Sequence, residues 1–330
     1  MIVTLTVNPS LDRTVALAQP LERGSVQRVA TSREEPGGKG VNVTRALAAS
    51  GAESLAVLPG AADDPLVSAL HAAHVPVALV PIAGHLRSNL TLTEPDGTTT
   101  KLNEPGPALS PAEQQHLVDE VVRQAADASW LVLAGSLAPG LADDFYVRVT
   151  RAVRQAGLAC RVAVDTSGAP LSALLDADEP VDLVKPNGEE LAELAGLGGL
   201  AEADLLEADP DRVALLAGGL ASRGIRSALV TLGATGAVLV TGDGAWFAPA
   251  PKIVPRSTVG AGDSSLAGYL LAVTEGARPD AALAQAVAHG AAAASLPGSA
   301  VPSRDLADAS AIIVTRIVTP IGDVAVPVAP

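Results

Sequence analysis

Short apolar runs alternate with longer segments of helical periodicity along most of the chain. Apolar runs that are bounded by glycine, proline or polar residues predict strands, and apolar positions three and four residues apart predict helices. The predicted strands are Ile2–Val7, Ser54–Leu58, Val75–Val80, Trp130–Ala134, Cys160–Val164, Asp182–Val184 and Ser227–Thr231. The predicted helices are Lys39–Ser50, Asp64–Ala73, Pro111–Ala126, Asp143–Ala156, Gly188–Ala195, Arg212–Arg223, Ala261–Glu275 and Asp280–Ala294. This alternation predicts an α/β fold with a doubly wound, mostly parallel sheet.

Two segments interrupt the pattern where a crossover helix is expected. Thr14–Glu34 and Leu86–Leu102 carry short alternating runs, and Pro95–Gly97 is a hairpin turn signal. We interpret the two segments as strands of a small β-sheet lid inserted into one domain that spans residues 1–314. Residues 315–330 have no helical period and end in proline-rich sequence, so we expect a flexible C-terminal extension.

Composition narrows the possible partners of this fold. The 330 residues carry a formal net charge of −14, and no basic run is present that could bind nucleic acid or an anionic membrane. A phosphate site must therefore be made locally, from a few cations and backbone N–H groups. Cys160 is the one cysteine, which excludes a disulfide framework. The first residues do not resemble a signal peptide and no apolar run is long enough to span a membrane, so we expect a cytoplasmic protein.

The sharpest chemical motif is Val259–Ser264, which opens the helix Ala261–Glu275. Gly260 and Gly262 let backbone N–H groups converge on an anion at the positive end of the helix. Asp263 would lie beside this anion hole, where its carboxylate could take the proton of an attacking hydroxyl. A helix cap or a first-turn charge is the alternative explanation of the same aspartate.

A second glycine-rich motif opens the helix that is predicted from Lys39. Gly37 and Gly38 permit a ligand to approach the main chain, Lys39 supplies a cation, and the Asn42 amide can both donate to and accept from hydroxyls. An ordinary strand-to-helix turn explains these residues equally well.

Other candidate residues follow predicted strands, where ligands collect in open parallel sheets. Asp12 is suited to bind sugar hydroxyls or, alternatively, caps its own loop. Asn187 and Glu190 have the spacing of a capping box, and as hard oxygen ligands they could instead hold Mg²⁺ through water. The loops Gly135–Gly140, Asp165–Gly168 and Thr231–Gly236 are weak signals singly, but all are expected at one edge of the sheet.

Taken together, these motifs resemble one family, the ribokinase-like sugar kinases of the phosphofructokinase B type. The resemblance runs in order from Asn8 to about Pro297, and this joint order is far more specific than any single motif. It implies transfer of a phosphoryl group from ATP, with Mg²⁺, to a sugar phosphate, and a lid that often mediates dimerisation. Within the family the chain is most similar to the 1-phosphofructokinases, which phosphorylate fructose 1-phosphate, and next to the tagatose-6-phosphate kinases. A kinase of tagatose 6-phosphate or fructose 6-phosphate is the alternative.

The resemblance also implies roles for individual residues. Asp263 becomes the catalytic base, with the anion hole formed by Gly260, Ala261 and Gly262. The implied substrate-binding residues are Asp12, Arg28, Gly37, Gly38, Lys39, Asn42, Arg87, Asn89 and Ser136, among which Arg28, Lys39 and Arg87 would clamp the substrate's own phosphate. The implied ATP-binding residues are Lys185, Asn187, Thr231, Gly233 and Gly236, and Asn187 and Glu190 would hold Mg²⁺ through water.

Two other classes of protein stay open at this point. A dinucleotide-dependent oxidoreductase shares the glycine-rich α/β pattern, although the first strand is followed by Asn8–Asp12 and not by a glycine turn. A catalytically silent sugar-phosphate sensor on a kinase fold is the other class, and the intact Asp263 argues against it.

Overall fold

The computed structural model describes residues 1–177, 179–197 and 200–318, which form a ten-stranded sheet and a separate four-stranded sheet. The strands are β1 (Ile2–Leu5), β2 (Ser10–Leu17), β3 (Val29–Gly37), β4 (Ser54–Pro59), β5 (Val77–Val80), β6 (Arg87–Thr93), β7 (Thr99–Asn103), β8 (Trp130–Ala134), β9 (Arg161–Asp165), β10 (Leu183–Val184), β11 (Ala228–Thr231), β12 (Gly236–Thr241), β13 (Gly244–Pro249) and β14 (Thr315–Ile317). The helices are α1 (Lys39–Ala49), α2 (Pro65–Ala72), α3 (Pro111–Ala125), α4 (Phe145–Gln155), α5 (Ala169–Asp176), α6 (Gly188–Leu194), α7 (Leu200–Glu207), α8 (Pro210–Gly219), α9 (Ala261–Thr274) and α10 (Pro279–Ala294).

The large sheet has the strand order β14-β13-β12-β11-β10-β9-β8-β1-β4-β5. Its strands from β11 to β5 are all parallel, whereas β12, β13 and β14 are antiparallel additions at one end. The doubly wound, mostly parallel sheet that the sequence predicts is therefore confirmed. Because the central strands run the same way, the loops that follow β1, β8, β9, β10 and β11 lie at a single edge.

Helices cover both faces of this sheet. Residues of α1, α9 and α10 pack with one face, and residues of α3, α4, α5, α6 and α8 pack with the other. Both cores consist mainly of Ala, Val and Leu, since only 2% of the chain is aromatic. Strands buried on both faces carry near-continuous aliphatic runs in such folds, which explains why the sequence predicts them well.

Local capping fixes several helix starts where the sequence predicts them. Asp64 accepts a hydrogen bond from the Leu66 backbone N–H at 2.9 Å at the start of α2. Ser110 and Glu113 form a reciprocal capping box at the start of α3. Each cap satisfies backbone donors that have no partner within the helix.

The four-stranded sheet is the lid, with strand order β3-β2-β6-β7. β2 pairs antiparallel with β3 and parallel with β6, so two distant segments of chain meet in one sheet. The lid strands extend further than predicted, because β2 begins at Ser10 and β3 continues to Gly37. These additional residues carry the lid directly into the strand-end loop after β1 and into α1.

Several elements were not predicted or differ from the prediction. α5, α7, β12 and β13 have no predicted counterpart. Thr315–Ile317, placed by the sequence in a flexible extension, form β14 at the edge of the large sheet, with Trp246 of β13 opposite Arg316. The rest of that predicted extension, residues 319–330, lies outside the described residues. Among the helices that the structure describes, none combines the length and apolarity of a membrane span.

Candidate active site

Charged side chains from distant parts of the chain meet at the carboxyl edge of the large sheet. Asp165, the last residue of β9, lies with Oδ1 2.7 Å from Lys39 Nζ and with Oδ2 3.0 Å from Lys185 Nζ. Glu190 Oε1 lies 3.9 Å from the same Lys39 Nζ. We refer to Lys39, Asp165, Lys185, Glu190 and the neighbouring Asp263 as the strand-end cluster.

Burial makes the charges of this cluster interact strongly. The Asp165 side chain is fully buried, and burial alone would raise its pKa, but the ammonium groups of Lys185 and Lys39 hold the pKa below its usual value. Burial would likewise lower the pKa of Lys39, yet the carboxylates of Asp165 and Glu190 outweigh that effect and raise it. Lys39 therefore presents fixed positive charge at the sheet edge.

Asp263 lies in the first turn of α9, which begins at Gly260 in the left-handed conformation with φ 76°. The carboxyl is only 7% exposed, and its Oδ2 accepts a hydrogen bond from Asn42 Nδ2 at 2.9 Å. Burial, with a contribution from the charge of Asp165, raises the pKa of Asp263 to about 6. The cap position belongs to Gly260, so the explanation of Asp263 as a helix cap is wrong, although it remains a first-turn charge.

Backbone groups at the start of α9 lie beside the cluster. A Cβ atom on Gly262 would lie 3.3 Å from Lys185 Nζ, so the absence of a side chain lets this ammonium approach the main chain. The Ala261 N–H donates to the Thr258 carbonyl at 3.3 Å. This N–H, which was expected to belong to the anion hole, therefore points toward its own loop. The N–H groups of Gly262 and Asp263 lie in the first turn, where an α-helix provides no carbonyl acceptor.

A second polar group lies on the lid and faces the same edge. Asp12 Oδ1 accepts hydrogen bonds from Ser10 Oγ at 2.7 Å and from Asn89 Nδ2 at 3.0 Å. Gly37 lies directly against this carboxylate, and a Cβ atom there would collide with Asp12 Oδ2. Arg87, opposite Ser10 in the neighbouring strand, donates from Nη1 to the Glu104 carbonyl at 3.3 Å.

Two lid atoms are left available for a ligand. Among the described residues, Arg87 Nε and Asn89 Oδ1 are buried and have no hydrogen-bond partner. Buried polar atoms without a partner are uncommon and costly in folded proteins. These two atoms are therefore suited to a polar ligand that enters between the lid and the sheet.

The structure does not bring every expected substrate residue to this place. Arg28 is exposed at the far end of the β2–β3 hairpin, where Leu17 pairs with Val29, whereas the site lies at the end where Ser10 pairs with Gly37. Arg28 is therefore remote from this site within its own chain, and its part in a phosphate clamp stays a prediction. Ser136 is exposed in the loop after β8, next to Gly135, whose Cβ position would lie 3.9 Å from Lys39 Cβ.

The residues expected on the ATP side have clear structural partners. Asn187 and Glu190 form a capping box for α6, in which Asn187 Oδ1 accepts from Glu190 N at 2.7 Å and Glu190 Oε2 accepts from Asn187 N at 2.9 Å. Thr231 is bridged to Asn187 at the end of β11. Gly233 adopts φ 52°, and Gly236 approaches the Ala248 carbonyl so closely that no side chain could fit.

Two residues of the site had no assigned role at the sequence level. Asp165 is the central anion of the strand-end cluster, and its only sequence signal is a carboxylate at the end of a buried strand. Arg45 donates from Nη1 to Asn42 Oδ1 at 3.2 Å, one turn after Asn42 in α1, and the sequence gives no sign of this contact.

Known proteins are similar to this chain over most of its length. Residues 6–306 match the family described as pfkB family carbohydrate kinase. The chain is 34% identical to an ATP-dependent 6-phosphofructokinase isozyme 2 of Mycobacterium tuberculosis over 92% of this chain and 87% of the relative. It is 35% identical to a 1-phosphofructokinase of Haloferax volcanii, with 93% of this chain and 95% of the relative covered.

A solved structure has the same fold along nearly its whole length. Phosphofructokinase-2 from Escherichia coli in complex with fructose-6-phosphate superposes with a TM-score of 0.81 at 32% identity, covering 93% of this chain and 96% of that chain. The match of sequence family and fold leaves no room for a dinucleotide-dependent oxidoreductase. The chain belongs to the pfkB family of carbohydrate kinases.

Proposed function

We propose that this ATP-dependent sugar-phosphate kinase phosphorylates fructose 1-phosphate to fructose 1,6-bisphosphate, with Asp263 as the general base. The observation that carries the proposal is the Asp263 carboxyl, which is buried at the glycine-opened start of α9, bound by Asn42 and flanked by two lysines. A carboxylate whose pKa is raised to about 6 is ionised at neutral pH and is still basic enough to take a proton.

The reaction asks the protein for positioning and for neutralising charge. Asp263 accepts the proton of the acceptor hydroxyl as its oxygen bonds to the γ-phosphorus, and the bond from phosphorus to the leaving oxygen of ADP breaks. Lys39 and Lys185 supply positive charge beside the N–H groups that open α9. Lys39 pairs with Asp165 in this cluster, and its part in the substrate-phosphate clamp that the resemblance implies stays a proposal.

Mg²⁺ is the metal that this family of reactions requires, and it neutralises charge on the triphosphate when bound. The described residues contain no group of three or more His, Cys, Asp or Glu that could hold a metal ion. Glu190 Oε2 and Asn187 Oδ1 are used in the capping box, whereas Glu190 Oε1 faces the cluster. This donor set fits a metal that is held mainly by phosphate oxygens and water, as the sequence suggests for Asn187 and Glu190.

Recognition of the acceptor is assigned to the lid. Asp12 is suited to bind sugar hydroxyls, and Asn89 and Arg87 offer the unpaired atoms described above. The 1-phosphofructokinase relative supports fructose 1-phosphate as the acceptor, and the 6-phosphofructokinase relative supports fructose 6-phosphate as the second candidate. Tagatose 6-phosphate is the remaining candidate of the same chemical class.

Release of ADP distinguishes these acceptors. We expect kcat/KM for fructose 1-phosphate to exceed the values for fructose 6-phosphate, tagatose 6-phosphate and ribose when each is assayed with ATP and Mg²⁺. A higher value for either 6-phosphate reassigns the acceptor within the class. Binding of a sugar phosphate without turnover of any acceptor supports a silent sensor and rules the kinase out.

Replacing Arg87 by alanine is expected to raise KM for the sugar phosphate about ten- to hundredfold, since a charged hydrogen bond to phosphate contributes roughly 1.5–3 kcal/mol. KM for ATP is expected to stay near the wild-type value. Arg13→Ala is the matched control, because Arg13 is an exposed lid arginine that contacts its strand neighbours Ser32 and Glu34. A sugar-phosphate KM that is equal in both variants would remove Arg87 from the site.

The lid also motivates a prediction about assembly. Val26 is fully exposed, and Leu21, Val29 and Leu102 are about half exposed, all on or beside the outer lid strands. A small sheet with apolar residues in solvent is stabilised by covering that surface. We expect a homodimer formed through two lids, measured by light scattering at micromolar concentration, and a monomer under those conditions would contradict it.

A further inference from the structure

Arg45 is a partly buried arginine on α1 that contacts three separate parts of the site. Its Nη1 lies 3.2 Å from Asn42 Oδ1, 3.1 Å from the Pro36 carbonyl and 3.4 Å from Ser299 Oγ. Pro36 belongs to the lid strand β3, and Ser299 belongs to the loop after α10. One guanidinium nitrogen therefore joins α1, the lid and a loop beside the helix pair α9 and α10.

The contact with Asn42 determines which way its amide points. An asparagine amide has an acceptor oxygen and a donor nitrogen that differ little in shape, so its partners decide its orientation. Arg45 can only donate, and it therefore attracts Oδ1 and turns Nδ2 toward Asp263 Oδ2, 2.9 Å away. With the amide reversed, an oxygen would face the Asp263 carboxylate and repel it.

The other two contacts connect this amide with the lid. The Ser299 N–H donates to Glu35 Oε2 at 3.3 Å, and Glu35 is paired in register with Asp12 of β2. Glu35 is thus connected to Arg45 by two hydrogen bonds, both made by Ser299. A change in the position of β3 displaces the Pro36 carbonyl, and with it the guanidinium that holds Asn42.

We propose that Arg45 is a positioning residue, which holds the Asn42 amide in the orientation that donates to Asp263 and ties this orientation to the seating of the lid. The inference rests on the proposed role of Asp263 as the base. Arg45 donates to Asn42, Pro36 and Ser299, and it acts on Asp263 through Asn42.

Charged side chains lie near both Arg45 and Asp263 and affect the pKa of each. Burial lowers the pKa of Arg45, against the opposing charges of Glu35 on β3 and Asp12 on β2, but a guanidinium stays protonated in proteins. The negative charge of Asp165 raises the pKa of Asp263. The positive charges of Lys185 and Lys39 lower it, as does the hydrogen bond from Asn42. Loss of that hydrogen bond therefore raises the pKa of Asp263 further.

Arg45→Met tests the proposal, because methionine keeps an apolar stem and removes every donor. We expect kcat for the preferred sugar phosphate to fall roughly tenfold to hundredfold, the scale of one lost hydrogen bond to a charged group. We also expect the acid limb of the kcat/KM profile to move to higher pH by roughly one unit. A titration of the Asp263 carboxyl by ¹³C NMR in the free protein should show the same displacement without any turnover.

Asn42→Ala and the double variant show whether Arg45 acts through the amide. If it does, adding Arg45→Met to Asn42→Ala changes the pKa of Asp263 little, since the effects of residues in one network do not add. A full additional shift in the double variant overturns the proposal, as does an unshifted pKa in Arg45→Met. Arg13→Met is the matched control, because Arg13 is a lid arginine that contacts Ser32 and Glu34 outside this network, and it should leave the pKa unchanged.

Two further measurements distinguish a failure of this proposal from misfolding of the variant and from failure of the proposed base. If Arg45→Met does not fold, as judged by circular dichroism, Ser299→Ala removes one of the three acceptors and is expected to shift the pKa in the same direction by a smaller amount, and no shift there overturns the proposal. If Asp263→Asn leaves kcat unchanged, the proposed base is wrong. The NMR pKa still reports on the contact between Arg45 and Asn42 in that case.

Discussion

Replacing Asp263 by asparagine is expected to lower kcat by about 10²–10⁴-fold, the usual contribution of a general base. Asparagine has nearly the same size and can still face the Asn42 amide through its oxygen, so the fold is expected to persist. KM for both substrates is expected to change little, since the lost interaction belongs mostly to the transition state. The acid limb of the pH profile, set in the wild type by a carboxyl with a pKa of about 6, should disappear with the base.

Asp209→Asn is a control for the substitution itself. Asp209 caps α8 by accepting from the Arg212 N–H at 3.0 Å, and asparagine is an equally good cap. This variant is expected to have the wild-type kcat, as measured by steady-state kinetics with saturating ATP and sugar phosphate. An Asp263→Asn enzyme that is as active as the Asp209→Asn control would show that Asp263 is only a first-turn charge.

Asp165→Asn is expected to destabilise the protein by about 3–5 kcal/mol, the usual cost of leaving buried charges without their partner. The lower end of this range is expected, because the Lys39 side chain is 35% exposed and water compensates part of its loss. Asp165 has a lowered pKa in the folded protein, so its contribution is present above the ordinary aspartate pKa and is lost as the pH falls through the folded value. The difference in unfolding free energy should therefore be largest at neutral pH and shrink in acid.

The same substitution carries a second, independent readout. The negative charge of Asp165 raises the pKa of Asp263, so its removal is expected to move the acid limb of kcat/KM to lower pH. Asp182→Asn is the matched control, since Asp182 is also a buried aspartate with two cationic partners, Arg154 at 2.9 Å and Arg226 at 3.1 Å, before β10. It should lower stability in urea unfolding and leave the acid limb in place. An acid limb that moves equally in both variants would contradict the assignment.

The sequence predicted best those features of the fold that depend on residues close together in the chain. The bounds of α1, α3 and α9 follow from glycine, serine and proline at their starts and from apolar periodicity, and these signals are local. The loop after each central strand could be placed at one sheet edge, since parallel strands share a direction. Asp263, Asn42 and Lys185 are brought together there, as the motifs suggested.

The features that the sequence did not reveal depend on contacts between distant residues. Asp165 is separated from Lys39 by 126 positions, and nothing near either residue indicates that the two form an ion pair. The position of Arg28 could not be read from the sequence, because a hairpin reverses the chain and a residue next to β3 lies at its far end. β13 and β14 were missed because they are partly exposed and lack the long apolar runs of buried strands, whereas β12 was missed although it carries the buried run Ala237–Leu239.

The net charge of the strand-end cluster affects its electrostatic interaction with the nucleotide during the reaction. Two ammonium groups face three carboxylates, so the cluster carries one uncompensated negative charge while Asp263 is ionised. If Asp263 takes the hydroxyl proton, as proposed, this surplus disappears at the step in which negative charge accumulates on the departing diphosphate. Electrostatic repulsion between the protein and its nucleotide would then weaken as the reaction proceeds, so one proton transfer would both activate the acceptor and favour the product side electrostatically.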